Sequence, residues 1–170
     1  LDCDAQGDYT RLLRQISRLT DEMKLQAKNR YIDQLRLRRH LPQARIYLNS
    51  GRQNVFARFL QWNGYEVGRL LVDASSSPLT GLNGRLSADS VVAAHFLLDT
   101  IRVTVSSDSA RTLYKAQIRN NEHNPDYTFN ALLSGGVFER GAYASAEVYD
   151  AANRLGLRLG LAAAMVSNGI

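Results

Sequence analysis

Apolar and polar residues follow a helical period near the N-terminus. Apolar residues recur every three or four positions over 9–35, which predicts one amphipathic helix over 9–39. Asp8 has the short side-chain oxygen of an N-cap, and Pro42 ends the helix, because the residue before a proline is pushed away from helical angles. An alternative is a second helix starting at Thr20-Asp21-Glu22. We favour the single helix.

The C-terminal residues have the same period. Apolar residues at 148, 152, 155, 159, 162 and 166 are spaced 4, 3, 4, 3 and 4, which predicts a long helix over 148–166 with a seam for a neighbour. Gly156 and Gly160 lie four apart beside this seam. Glycine costs about 1 kcal/mol inside a helix, so the pair suits the close approach of another backbone. The alternative is a break at Gly156, with a final strand over 157–166.

Between these two helices, period-two alternation predicts strands. The best example is 101–106 and 114–119, two alternating segments on either side of a polar turn, which is typical of a β-hairpin. The other predicted strands are 45–48, 65–73 and 127–133, the last closed by Gly135-Gly136.

Two shorter helices are also predicted. Ser50 is taken as the N-cap of a helix that ends at Asn63-Gly64, and Ser87 as the N-cap of a buried helix over 88–99. The segment 75–84 has the composition of a loop. The buried face of the first of these helices is predicted to be Val55, Phe56, Phe59 and Leu60.

Together these elements predict an α+β fold: an antiparallel three- to four-stranded meander sheet packed against long amphipathic N- and C-terminal helices. A chain of 170 residues is long enough to bury a core. We therefore expect a single domain over 1–170, with residues 1–7 as a frayed N-terminus.

Positive charge is concentrated in the first third of the chain. The net charge is +5, and nine basic residues but one acid lie between Lys24 and Arg58. Aromatic residues are interleaved with this basic tract, 24–58, and such a combination suits a phosphate backbone and unstacked bases. A solvated basic face, or one that meets an acidic protein, would have the same composition. The candidate nucleic-acid contacts are Arg36, Arg38, Arg39, Arg45, Arg52 and Arg58, with Tyr31, Tyr47, Phe59, Trp62 and Tyr65 near them.

Candidate catalytic residues are few. His95 and Asp99 would share a helix face, and Glu122, His123 and Asp126 crowd one loop, so each group could supply an acid–base pair. Neither has the defined ligand spacing of a metal site. The lone Cys3 excludes an internal disulfide, and Ser134-Gly135-Gly136 matches no nucleotide-binding motif. We predict no catalytic, metal or cofactor residue.

Three functions remain open. The leading hypothesis is a non-enzymatic assembly or interaction module, a homo-oligomeric component of an envelope machine, filament or particle, with self-association or a protein partner. The alternatives are nucleic-acid binding through the tract 24–58 and a small hydrolase with a dispersed site near His95 or His123. The seam residues are Leu12, Ile16, Leu19, Met23, Leu155, Leu159 and Val166.

The sequence says little about location. No run of 18 or more apolar residues occurs, so we expect no membrane span in this chain. The first residue is Leu1 rather than Met, which is compatible with an exported and processed chain, but the compartment does not follow from the sequence.

Overall fold

The computed structural model describes residues 2–5, 9–29, 31, 33–93, 96–120, 128–138 and 141–164. Within them, nine strands and three helices follow one another along the chain. The helices are α1 (Tyr9–Lys28), α2 (Gln34–Arg39) and α3 (Val55–Trp62). The strands are β1 (Asp2–Ala5), β2 (Ala44–Ser50), β3 (Tyr65–Ser77), β4 (Gly81–Ala93), β5 (Phe96–Ser107), β6 (Arg111–Asn120), β7 (Asn130–Phe138), β8 (Gly141–Tyr149) and β9 (Leu155–Ala164).

The strands form one antiparallel sheet whose spatial order is the chain order. Eight of them, β2 to β9, make an antiparallel meander, and the short β1 pairs with the outer edge of β2. The predicted hairpin is confirmed: Ile101 lies opposite Ile118, and Val105 opposite Tyr114, between β5 and β6. The protein is therefore mainly β, and the predicted α+β fold with a three- to four-stranded sheet is wrong.

The predicted C-terminal helix over 148–166 is absent from the described part of that segment. Residues up to Tyr149 belong to β8, a turn follows, and β9 begins at Leu155. The leucines of β9 are two apart in sequence, which is the period of a strand. Leu155 and Leu159 are also four apart, which fits a helix, so this short segment is compatible with both periods. Gly156 and Gly160 would each cost about 1 kcal/mol in a helix interior. A final strand is thus the arrangement observed.

The predicted helix over 88–99 and the predicted loop over 75–84 are also wrong. β3 continues to Ser77, a short turn follows, and Gly81, with φ of +75°, begins β4. The apolar residues read as a helix belong to the facing ends of β4 and β5, where Val91 pairs with Leu98. A short apolar run cannot be assigned by period alone when both arms of a hairpin are apolar. Ser87 is a mid-strand residue that pairs with Arg102 rather than a helix cap.

The N-terminal helix is divided in two, so the prediction of one continuous helix is wrong. The break comes after Lys28, not at Thr20-Asp21-Glu22 as in the alternative. Asp33 then caps α2, and its carboxylate accepts from the Arg36 main-chain N–H at 2.9 Å. Asp8, the predicted N-cap of α1, lies outside the described residues.

The sheet has one apolar face and one polar face. Val72, Leu86 and Val103 are consecutive cross-strand partners on the apolar face. Their sequence neighbours Asp73, Arg85 and Thr104 are partners on the polar face, as strand pleating requires. Few apolar residues are buried among the described residues: Leu48, Ala57, Ala88, Val91 and Ala131.

α2 is fixed at one end of the sheet. The Arg38 guanidinium donates from Nε to the Pro78 carbonyl at 2.9 Å and from Nη1 to the Asp108 carbonyl. The Gln34 side chain donates to Thr112 Oγ1 at 3.3 Å. These bonds reach the β3–β4 and β5–β6 turns, so α2 lies against the turns at the end of the sheet.

Candidate assembly surface

β9 has an open main-chain edge. Among the described residues it pairs with β8 alone, in a register that runs from Gly141 opposite Ala164 to Val148 opposite Leu157. Its other side therefore has N–H and C=O groups with no neighbouring strand in the described sheet. Such an edge is a ready template for pairing with another strand.

Three leucines form an exposed row along this edge, which we call the leucine row. Leu157, Leu159 and Leu161 alternate on the apolar face with relative exposures of 47%, 56% and 78%. Exposure of large apolar side chains in a contiguous patch marks interaction sites more often than chance. The predicted seam residue Leu159 thus lies on a strand rather than on a helix, as does Leu155, and Val166 lies outside the described residues.

The features that usually protect an edge strand are weak here. β9 contains no proline, and its single charge, Arg158, belongs to the polar face. Its register shift against Val148 and Tyr149 of β8 lies at the start of the strand, before the leucine row. Arg158 Nε lies 2.9 Å from Glu147 Oε1 on β8, so its charge is directed to its own sheet. Natural sheets usually blunt an exposed edge with charges, prolines or bulges. No charged side chain on the apolar face of β9 therefore opposes pairing of the leucine row with another strand.

Glu147 also accepts a hydrogen bond from a tyrosine on its own strand. The Tyr149 hydroxyl donates to Glu147 Oε2 at 2.6 Å. This hydrogen bond, followed by the Arg158 charge, lowers the pKa of Glu147, and the same bond raises the pKa of Tyr149. Glu147 is thus held as a carboxylate that is neutralised by Arg158.

The stripe predicted on the N-terminal helix is largely uncovered. Ile16 and Met23 are exposed and Leu19 is half-buried, while the side chain of Leu12 is outside the described set. The buried residues of α1 are instead polar: Glu22 and Gln26. Both are covered by bonds to the segment 33–36. The predicted apolar stripe of α1 is therefore mostly exposed within the described chain, with Leu19 only half-buried.

The basic tract does not form one free surface. Arg36 Nε lies 3.3 Å from Glu22 Oε1, Arg38 is bound to the two turns, and Arg45 lies 3.6 Å from Asp73. Three of the six predicted nucleic-acid contacts are thus engaged within the protein. The other three, Arg39, Arg52 and Arg58, are exposed on the surface.

α3 has an apolar face directed to solvent. Val55, Phe59 and Trp62 are spaced for one helix face, and Trp62 is 83% exposed. The predicted buried face is therefore wrong for Val55 and Phe59; Leu60 is half-buried and the Phe56 side chain is outside the described set. The buried residue is Ala57, which sequence reasoning did not select because alanine is a weak apolar signal.

All but one of the candidate acid–base residues lie outside the described part of the chain. His95, Glu122, His123 and Asp126 lie outside the described residues, and Asp99 is in β5, where helical spacing does not apply. Gly135 and Gly136 lie inside β7 rather than closing it, and Ser134 is hydrogen-bonded to Ser145 at 2.8 Å. In the described parts of the chain, no group of three His, Cys, Asp or Glu side chains could hold a metal ion.

Comparison with known proteins gives no relative. The chain matches no protein-family model, no curated protein and no solved structure. None of the helices in the described residues is both long and apolar enough to cross a membrane.

Proposed function

We propose that the protein is a non-enzymatic assembly module whose copies join through β9. The observation that carries this proposal is the exposed leucine row on a strand with an open edge. The proposal depends on a strand rather than on a C-terminal helix, because residues 155–164 form β9. Its second support is the uncovered apolar stripe of α1, which offers a further contact between copies.

A second copy is the occupant that best fits the edge. An antiparallel pair related by a twofold axis uses the same surface twice, so the strand must be complementary to itself. Centred on Leu159, the pairing sets Leu157 of one copy against Leu161 of the other, and Leu159 against its own equivalent. All three leucines then have apolar partners on one face, and cross-strand pairs of this kind stabilise sheets.

Charge selects the same register. Pairing centred on Arg158 would place two guanidinium groups directly opposite each other, which destabilises an antiparallel pair. Pairing centred on Leu159 places Arg158 opposite Gly160 of the other copy. Gly160 has no neighbour within 4 Å of the position a Cβ would occupy, so the site leaves room for a long side chain.

The proposal is tested by the mass in solution across a wide range of concentration, measured by light scattering and sedimentation. We expect the wild-type chain to be a dimer or larger and Leu159→Lys to be a monomer, because a charge on the row opposes edge pairing. Leu79→Lys is the matched control, since Leu79 is an exposed leucine in the β3–β4 turn, far from β9 in the sheet order. It should keep the wild-type mass.

A cross-link tests the register. In a Cys3→Ser background, Leu159→Cys should form a disulfide between copies, because directly opposite residues in an antiparallel pair lie about 4.5–5.5 Å apart. A wild-type chain that stays monomeric at every concentration overturns the proposal. So does a monomer that floats with neutral phosphatidylcholine vesicles through its leucine row, since the occupant would then be lipid.

A second candidate is nucleic-acid binding, favoured by the surface of α3 and the residues beside it. Exposed Arg52, Arg58, Phe59, Trp62 and Tyr65 lie within one short stretch of chain. Aromatic rings that stack on unpaired bases, with arginines for the backbone, are the usual means of binding single strands. This surface replaces the broader tract, since Arg36, Arg38 and Arg45 are engaged elsewhere.

Gel retardation of a mixed single-stranded DNA and RNA pool tests this candidate. Binding should weaken steeply with salt and be lost in Arg58→Glu and in Trp62→Ala. Arg69→Glu, the same charge change at an exposed arginine of β3, is the control and should retain most binding. Equal retardation by all four proteins, or none at low salt, eliminates α3 as the interface.

A further inference from the structure

The polar face of the sheet contains a hollow of about 440 Å³. Two cross-strand rows on β5, β6, β7 and β8 form its floor. One row is Arg102, Gln117, Leu132 and Glu147, and the other is Thr104, Lys115, Ser134 and Ser145. All eight side chains line the hollow. Its volume is within the range of small-molecule sites, about 300–1,000 Å³.

The hollow carries uncompensated positive charge. Arg102 on β5 and Lys115 on β6 are diagonal neighbours, because Arg102 pairs with Gln117 and Lys115 pairs with Thr104. Neither forms an ion pair with a carboxylate of the described residues. The one acid in the lining, Glu147, is already bonded by Arg158 and by the Tyr149 hydroxyl. The two cations are therefore available to an anion.

Hydroxyl and amide groups surround these cations. Thr104 is on the row of Lys115, and Ser134 and Ser145 share a hydrogen bond of 2.8 Å, which leaves further donor and acceptor capacity on both hydroxyls. The Gln117 amide nitrogen donates to Asn130 Oδ1 at 3.3 Å, and its carbonyl oxygen can accept a hydrogen bond. Such neutral groups recognise the hydroxyls of a sugar or polyol, while arginine and lysine recognise phosphate.

We propose that this hollow binds a phosphate monoester of a polyol, with the phosphate on Arg102 and Lys115 and the hydroxyls toward Ser134, Ser145 and Gln117. A phosphate monoester carries a charge of about −1.5 to −2 at neutral pH, which matches the two cations. The opposite face of the sheet carries the leucine row, so the site and the assembly edge use different side chains.

Calorimetric titration with glucose 6-phosphate, inorganic phosphate and glucose tests the proposal. Glucose 6-phosphate should bind most tightly, inorganic phosphate more weakly, and glucose not measurably. Arg102→Gln and Lys115→Gln should each raise the Kd by about tenfold, because each removes a charge-assisted hydrogen bond. Arg69→Gln is the matched control, an exposed arginine of the polar face that does not line the hollow.

Several results overturn the proposal. They are no saturable binding by folded wild-type protein, an unchanged Kd in both Arg102→Gln and Lys115→Gln, and inorganic phosphate that binds as tightly as the sugar phosphate. The folded state of each variant is checked by circular dichroism. Leu159→Lys should bind glucose 6-phosphate like the wild type, so failure of the assembly proposal is distinguishable from failure of this one.

Discussion

Gln26 holds both main-chain polar groups of Asp33. Its Oε1 accepts from the Asp33 N–H at 2.8 Å, and its Nε2 donates to the Asp33 carbonyl at 3.1 Å and to Glu22 Oε1 at 2.9 Å. The Gln26 side chain is almost fully buried, with 4% of its surface exposed. One glutamine therefore ties the start of α2 to the last turns of α1, and so fixes where the N-terminal helical segment is divided.

Gln26→Ala should loosen this junction. The Asp33 amide loses its acceptor, and an unmade buried hydrogen bond costs about 1–3 kcal/mol. Hydrogen exchange at Asp33 is the measurement, and we expect it to be faster by about tenfold or more. Gln15→Ala, the same substitution on α1 away from the junction, should leave exchange at Asp33 unchanged. An equal rate in Gln26→Ala would show that the Asp33 amide does not depend on this bond.

Asn54 is the N-cap of α3, so the prediction of Ser50 for that position is wrong. The Asn54 Oδ1 accepts from the Ala57 main-chain N–H at 2.8 Å, and the amide nitrogen donates to Ser50 Oγ at 2.9 Å. Ser50 is buried at the end of β2 and supports the cap rather than forming it. The helix and its end at Asn63-Gly64 were predicted from the sequence. Ser50 and Asn54 are both residue types that cap helices, and the wrong one of the two was chosen.

Asn54→Ala should lower the free energy of unfolding by about 1 kcal/mol, since the Ala57 amide loses its cap. Asn54→Asp should retain most of the stability, because a carboxylate accepts the same bond. Chemical denaturation of the three proteins provides the comparison. If Asn54→Asp is as unstable as Asn54→Ala, the bond from Ala57 is not the stabilising feature.

The strands were predictable where polar and apolar residues alternate strictly, and the hairpin of β5 and β6 is such a case. The signal failed where apolar residues are continuous, as at Val91 and Val92 near the β4–β5 turn, because such runs fit a buried strand and a buried helix equally. It also failed at β9, where the leucines satisfy two periods at once. The secondary structure of these segments is decided by pairing with other strands, and a local sequence pattern does not contain that information.

The candidate sites show the same division. Leu155 and Leu159 were selected from sequence as seam residues, although on the wrong kind of element, whereas Leu157 and Leu161 were not selected. The hollow at Arg102 and Lys115 was not selected, because its residues come from four strands and their sequence neighbours are unremarkable polar positions. Only the register brings them into two rows. Alternation of basic and hydroxyl residues on adjoining strands was the available signal.

The Tyr114 ring lies over Gly135, at the position that a side chain of residue 135 would occupy. The two residues are directly paired between β6 and β7, and a Cβ at position 135 would lie 2.5 Å from the ring atoms. Gly135→Ala should therefore lower the free energy of unfolding, by about 1–3 kcal/mol from overpacking. In a Tyr114→Ser background the same substitution should cost less than about 0.5 kcal/mol, which a double-mutant cycle measures.

Gly160→Ala is the matched control, since nothing lies within 4 Å of its added Cβ. It should be neutral or slightly stabilising, because glycine weakens a strand interior. Equal costs for Gly135→Ala with and without the Tyr114 ring would show that the ring is not the cause.

The bonds to Glu147 make part of the stability depend on pH. The Tyr149 hydroxyl is the largest cause of the lowered pKa of Glu147, and Arg158 adds to it, relative to an ordinary value of 4.5. A folded-state pKa below the unfolded value contributes stability above the unfolded pKa, and that contribution is lost as the pH falls through the folded value. Tyr149→Phe should thus raise the Glu147 pKa, measured from the carboxyl carbon shift in an NMR titration.

The same variant should be less stable than the wild type at neutral pH, and the difference should shrink as the pH falls below 4.5. Tyr143→Phe removes a hydroxyl from the same strand, at a ring that stacks on Phe138 with centroids 5.6 Å apart. It should leave the titration of Glu147 unchanged. A stability difference for Tyr149→Phe that is constant across the acid range would assign the effect to packing of the ring rather than to the ionised carboxylate.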